Sequence, residues 1–293
     1  MKRQIDYSKI YSASKLSAFE ECPKFYHFNY LDPIYTKMKG ELKKQPQNIW
    51  SFQTLGKAVH NAITLFYHTE VGERNFEALK KYLTQTWQSE VMWNKKMPLG
   101  KWGGFASLDE ERDFYRQALE MLKNFLRVGE IEPSIEYLPT SDFTHSIDDY
   151  LNLVTPLYDD LNISGKFDLI TKNEDGSLNI IDFKTGKKED EKPFQLKFYK
   201  LLAQLKFEKP VKRASFFFLK TGNIKDFEIE EDEGLIKEEV LDKIKKITQT
   251  EEFVTRPSPL CRFCLFKDFC PEKTKVKEMT KKPEEEYPDD LPF

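Results

Sequence analysis

Apolar positions recur at helical spacing through the first 130 residues and then give way to short β-branched and aromatic runs. Ser14 reads as the N-cap of a first helix, KLSAFEECPKFYHFNYL, with Leu16, Phe19 and Phe25 near a helical period. Residues 35–49 are polar and basic and predict a loop. Helical patterning resumes from Phe52 to Tyr67, then near 73–92 and 108–128. Strands are expected at SIEYL (134–138), NISGKFDLIT (162–171) and SLNIIDFKT (177–185). The last two join through NEDG, where Asp175-Gly176 suits a hairpin turn. A helix over 193–207 follows, then strands at 213–220 and near 226–230, then a helix near 233–249. Hairpin, helix, strand in that order predicts a mixed α/β core. The final 22 residues hold seven acids and five lysines with few apolar residues, and read as a disordered tail. The expected organisation is a helical region over 1–130, a core over 131–271 and a tail over 272–293. No internal repeat is present.

Composition sharpens this picture. The chain has 293 residues, 39% of them hydrophobic, with 24 Phe and 13 Tyr, enough for one large domain or a domain with an attached lobe. No run of 18 apolar residues predicts a membrane span, and the opening MKRQIDYSKIYSAS lacks the apolar stretch of a secretory signal. The expectation is a cytoplasmic protein. In that reducing setting its four cysteines are metal ligands rather than disulfides. Three of them, Cys261, Cys264 and Cys270, are spaced C-x2-C-x5-C; 238 residues separate the fourth, Cys22, from Cys261. Net charge is only −3, but it is uneven: residues 1–70 carry ten basic and six acidic side chains, whereas 140–176 carry two and eight. Most of those acids fit a solvated loop, and some fit a metal centre.

The segment IIDFKTGK (180–187) concentrates the chemistry. On a strand, Asp182 and Lys184 share a face. A carboxylate suits Mg²⁺ or Mn²⁺, and a neighbouring lysine can orient water or stabilise charge on a phosphorane-like transition state. The same D-x-K also describes a salt pair at a strand end. Asp168, in GKFDLI, lies across the predicted hairpin, within reach of a cation shared with Asp182. Two carboxylates held together raise each other's pKa unless a metal neutralises them. His60, in LGKAVHNAI, offers an imidazole from a helix, as a further ligand or as a packed histidine. Gln195 and Tyr199 stand four apart on one helix face, positioned to buttress Lys184 or simply exposed.

The series G-K-x-x-H, G-x-x-D, D-x-K and Q-x-x-x-Y, in this order, resembles the RecB/AddB-type branch of the PD-(D/E)XK nucleases. The resemblance spans roughly residues 12–270. It implies a restriction-endonuclease-like core, a mixed sheet flanked by helices. It implies His60, Asp168 and Asp182 as ligands of Mg²⁺ or Mn²⁺, with the Phe183 carbonyl assisting. Lys184 would be the catalytic lysine, with Gln195 and Tyr199 in the motif beside it. Many relatives carry an acid soon after the motif histidine; this chain has Asn61, Ala62, Ile63 and Thr64 there. The one-then-three layout of Cys22, Cys261, Cys264 and Cys270 is similar to the [4Fe–4S] staple of AddB-type and CRISPR-adaptation nucleases. The same four thiolates also suit a structural Zn²⁺.

The implied activity is metal-dependent phosphodiester hydrolysis on DNA, as an exonuclease at single-stranded ends, in recombination, repair or replication. A catalytically inactive iron–sulfur DNA-binding adaptor is the rival reading. No G-x-x-x-x-G-K-[ST] motor motif is present. No RNA-recognition motif supports an RNA-directed enzyme. Lys37, Lys39, Lys43 and Lys44 are expected in a cover over the strand end. The last residues, Asp289, Asp290, Leu291, Pro292 and Phe293, resemble the acidic tip of bacterial single-stranded-DNA-binding proteins. That resemblance implies docking to proteins that bind such tips.

Overall fold

Strand Leu178–Lys184 is buried along most of its length, as a strand covered on both faces must be. A computed structural model of the chain describes residues 6–45, 48–91, 103–141, 146–186, 193–227, 229 and 232–279. Its helices are α1 (Ala13–Glu21), α2 (Pro23–Tyr26), α3 (Pro33–Lys43), α4 (Ser51–His68), α5 (Phe76–Val91), α6 (Leu108–Val128), α7 (Ser146–Asn152), α8 (Pro193–Phe207), α9 (Glu233–Thr248) and α10 (Lys273–Met279). Its strands are β1 (Ile10–Tyr11), β2 (Ile135–Tyr137), β3 (Thr155–Tyr158), β4 (Leu161–Ile163), β5 (Leu169–Lys172), β6 (Leu178–Lys184), β7 (Val211–Phe218) and β8 (Asn223–Phe227).

The larger sheet has the order β2-β5-β6-β7-β8. Its neighbours are antiparallel except β6 and β7, which run parallel and are separated in sequence by α8. A parallel pair needs such a crossover. The β5–β6 hairpin turns through Asn173–Gly176. Gly176 has φ +82°, and Asp175 Oδ1 accepts from the Ser177 amide at 3.0 Å. The mixed sheet flanked by helices is the α/β architecture expected from the element order.

Side-chain alternation sends β6 and β7 into two cores. Leu178, Ile180, Phe216 and Phe218 pack with Leu196, Leu201 and Leu202 of α8, Val240 of α9 and Leu16 of α1. Phe183, Phe217 and Leu169 pack with Val59 and Phe66 of α4, Leu83 of α5 and Phe125 of α6. Each fully buried Phe or Leu contributes about 1.5–3 kcal/mol. Residues from before and after position 130 therefore share both cores. Among the described residues no helix is long and apolar enough to cross a membrane.

Several local expectations are corrected. Ser12, not Ser14, caps α1, its side chain accepting from the Lys15 amide at 3.2 Å. The expected helix over 15–31 breaks at Cys22, which is extended (φ −157°, ψ 103°) because Pro23 follows it. The expected loop over 35–49 is largely helical. Asp32 caps α3 by accepting from Ile34 and Tyr35, with Pro33 at the first turn. The expected strand over 162–171 is two strands in two sheets: β4 belongs to a second sheet of order β1-β4-β3. Between them the Ser164 amide bonds Tyr11 O at 2.9 Å, which carries the chain from one sheet to the other. The expected tail begins with a helix, α10, whose Val276 is buried. The docking residues Asp289, Asp290, Leu291, Pro292 and Phe293 lie outside the described residues.

Candidate active site

Asp168 and Asp182 face each other one position beyond the Leu169–Ile181 pair of the β5–β6 ladder. Asp168 ends the linker from β4, so its carboxylate replaces a ladder partner: Oδ2 accepts from the Phe183 amide at 2.8 Å. Oδ1 meets His60 Nδ1 at 2.9 Å. His60 arrives from α4, on the opposite side of the sheet from α8. Gly56, one turn earlier, allows that approach: a Cβ there would stand 3.1 Å from Thr185 Oγ1, just past β6.

Asp182 and Lys184 project toward α8. Lys184 Nζ lies 3.0 Å from Asp182 Oδ2 and donates to Gln195 Oε1 at 3.0 Å. Gln195 Nε2 donates to Asp182 Oδ1 at 3.2 Å and to Tyr199 Oη at 3.3 Å. One amide thus spans the acid, the lysine and the phenol, as its i, i+4 spacing with Tyr199 allows. Tyr199 is held against Phe167, ring centroids 5.1 Å apart, and against Gly165, where a Cβ would lie 3.2 Å from its ring. Phe216 was not singled out from the sequence. It is the β7 partner of Asp182, and its ring lies 4.7 Å from Lys184 Nζ. Only the parallel register, invisible in the sequence, brings it there.

The electrostatics are those of a sheltered cluster. Burial pushes the Asp182 carboxyl up to about 6; Lys184 opposes the shift and Asp168 adds to it. Burial disfavours the His60 imidazolium, but the Asp168 and Asp182 carboxylates outweigh it, and the net shift is upward. Burial raises Tyr199 and keeps it a neutral hydroxyl. Two carboxylates and an imidazole are hard and borderline donors, a set that fits Mg²⁺ or Mn²⁺. A dication beside Asp182 would offset the cost of its ionisation. Phe183 is tied to this site through its amide, while its ring packs into the α4–α6 core. Among the described residues, no three His, Cys, Asp or Glu side chains stand in a ready-made ligand cluster.

The cysteines are neighbours elsewhere, likewise outside ready-made ligand geometry. Cys22, Cys261, Cys264 and Cys270 line one pocket of about 80 Å³ with Phe25, Phe28 and Phe266. All four are free thiols. Burial pushes Cys264 up to about 12, and the other three cysteines add to the shift, so the four sulfurs feel one another. The segment before Cys261 is also strapped to the N-terminal helices: the Lys24 amide donates to Val254 O at 3.0 Å, and Phe253 stacks on Tyr26 with centroids 6.4 Å apart.

No curated protein matches the chain. Among solved structures, the crystal structure of SSO0001 aligns over 92% of this chain and 89% of that one, at 16% identity and a TM-score of 0.36. The PD-(D/E)XK nuclease superfamily matches residues 10–271, which span α1 through Cys270 and include every residue of the cluster just described. The chain therefore belongs to the PD-(D/E)XK nuclease superfamily, whose members hydrolyse phosphodiesters and generally use Mg²⁺ or Mn²⁺.

Proposed function

We propose that this protein is a DNA exonuclease of the RecB/AddB-type branch, acting on single-stranded ends in recombination, repair or replication. The observation that carries the reading is the Asp182–Lys184–Gln195 bridge facing Asp168 and His60 across the β5–β6 hairpin. His60, Asp168 and Asp182 are the proposed ligands, with Phe183 as backbone support. A divalent ion bound there would supply Lewis acidity and a more acidic water.

The chain's own residues do the remaining work. The Phe183 amide and His60 hold both oxygens of Asp168 in one orientation. Gln195 holds Lys184 and Asp182 together, so the ammonium is a fixed charge in a sheltered site. A preorganised cation of this kind stabilises charge that develops on a phosphate. Tyr199 keeps Gln195 from turning away.

The four gathered thiols are proposed to hold a [4Fe–4S] cluster, a donor set that fits it chemically. It would close a link between Cys22 and Cys261 over a very long loop and clamp α1 onto the end of the core. Zinc is the outcome to distinguish by metal analysis. Docking through Asp289, Asp290, Leu291, Pro292 and Phe293 is tested by a pull-down; unchanged capture after deletion of Pro292 and Phe293 would refute it.

The decisive experiment incubates anaerobically purified protein with linear and circular DNA, single- and double-stranded, with Mg²⁺ or Mn²⁺. An Asp182→Ala variant serves as control. Degradation of linear single strands alone, lost in the variant, is the expected result. Cleavage of circles would make the enzyme an endonuclease. A folded protein inert with both ions would favour the adaptor reading instead.

A further inference from the structure

Helix α4 delivers His60, yet its first turn has neither a polar cap nor a charge to hold it. Its N-cap is Trp50, whose side chain makes no capping bond, and the first turn carries no acid. Aromatic packing stands there instead. Trp50 stacks on Phe52 with ring centroids 6.4 Å apart. The Phe263 ring meets both edge-on, 4.8 Å from Trp50 at 76° and 5.5 Å from Phe52 at 89°. Phe263 is buried, and Trp50 and Phe52 are half-buried.

Phe263 reaches α4 from the other end of the chain. It closes a 3₁₀ turn, Pro259–Phe263, and stands between Cys261 and Cys264. The Arg262 guanidinium lies 4.6 Å from the Phe263 ring. Lys267 Nζ lies 5.5 Å from the Trp50 ring and donates to Arg262 O at 3.3 Å. These two cations strengthen the aromatic contact. A second segment clasps the helix entry: Thr54 Oγ1 donates to Gly103 O at 3.0 Å, and a Cβ on Gly104 would stand 2.5 Å from Ile49 O.

His60 follows Trp50 by ten residues, about 15 Å along the helix. The buried face of α4, with Leu55, Val59 and Phe66, is held by apolar contacts that have no direction of their own. Edge-to-face rings do prefer a set geometry. We infer that Phe263 is a positioning residue for cleavage: its wedge against Trp50 and Phe52 sets the angle at which α4 enters, and so where the His60 imidazole meets Asp168. This rests on the proposed nuclease reading and adds to it a contact through which the cysteine segment bears on the cleavage site.

The test is isothermal titration of Mn²⁺ into the anaerobically purified full chain, the site being the binding that Asp182→Ala loses. Phe263→Ala should weaken that binding about tenfold, the low end for a residue that orients a ligand without touching the ion. Trp50→Ala should do the same. The double variant should also lose about tenfold rather than about a hundredfold, because both changes remove one contact. Single-turnover cleavage should slow at saturating DNA, with the half-saturating DNA concentration unchanged. Phe263→Leu keeps the apolar bulk without the ring edge and should still weaken Mn²⁺ binding, which decides the matter if Phe263→Ala does not fold. Phe269→Ala, exposed on the same segment and packed on Tyr35 rather than on α4, should leave it unchanged. Parent affinity in the Phe263 variants, additive losses in the double variant, or a loss confined to samples that have shed cysteine-bound metal would each overturn the inference. Cleavage by the wild type would leave the nuclease reading standing in all three cases. A wild type that neither bound Mn²⁺ nor cut DNA would overturn both.

Discussion

His60 Nδ1 lies 2.9 Å from Asp168 Oδ1, joining α4 to the head of β5 across 108 residues of sequence. The Asp168 carboxylate is what keeps the His60 pKa above its ordinary value despite burial. Asp168→Asn should therefore let burial dominate and drop the His60 pKa below about 6.5, read from its ring proton shifts in a metal-free NMR titration. An unchanged midpoint would mean that the pair does not persist in solution. The same variant should lose cleavage.

Lys184 and Gln195 divide one task unequally. Lys184→Ala removes the charge itself and should lower single-turnover cleavage by about 10²–10³-fold, the usual effect of losing one transition-state donor. Gln195→Ala leaves Lys184 paired with Asp182 at 3.0 Å, so its loss should be smaller, about tenfold. Parent rates in Lys184→Ala would remove the lysine from the chemistry.

Gly165 is a packing requirement of the site. An added Cβ would meet Leu202 Cδ2 at 3.1 Å and Tyr199 Cε1 at 3.2 Å, both on α8 and both buried. Gly165→Ala should cost about 1–3 kcal/mol in urea unfolding, the range for overpacking a close-packed interior. It should also slow cleavage by displacing Tyr199 from Gln195. A neutral result on both measures would show that α8 can yield there.

Lys15 supplies a pH-dependent anchor away from the site. Its ammonium is buried and donates to Tyr7 O and Ser8 O at 3.3 Å and to Ile10 O at 2.8 Å. Burial brings its pKa down to about 8 from 10.5. Between those values the unfolded chain holds a proton that the folded chain has released. Stability should therefore rise as pH climbs from about 8 to about 10.5. Lys15→Met should flatten that rise and destabilise the neutral-pH protein by about 1–3 kcal/mol, since the three carbonyls lose their donor. Denaturant midpoints across that pH range read both effects.

The proposed cluster predicts that Cys264→Ser abolishes cysteine-bound metal and lowers the melting temperature more than it does in protein already stripped by chelation. Iron and acid-labile sulfide in equal amounts in the wild type would identify the cluster; zinc without sulfide would replace it with a mononuclear site. Equal melting temperatures for wild type and variant, both as purified, would remove the staple from the stability of the fold.

What the sequence by itself determined is the chemistry carried by short spacings. Asp182 and Lys184 share a face because strand side chains alternate. Asp168 meets Asp182 because the Asp175-Gly176 turn fixes the hairpin register, and Gln195 reaches Tyr199 because helices repeat at four. Each of these follows from backbone geometry over fewer than about 20 residues. The tertiary structure decided the rest. A polar, basic segment became α3 because Leu42 and its neighbours Tyr35 and Met38 could pack against Phe28 and Phe266, and Phe266 comes from the other end of the chain. A continuous run of strand formers was divided between two sheets because Ser164 found its partner on β1. The placement of His60 and Phe216 and the gathering of Cys22 with Cys261, Cys264 and Cys270 likewise depend on which distant surfaces bury one another. Local periodicity specifies which face a side chain takes, and only long-range burial selects what that face meets.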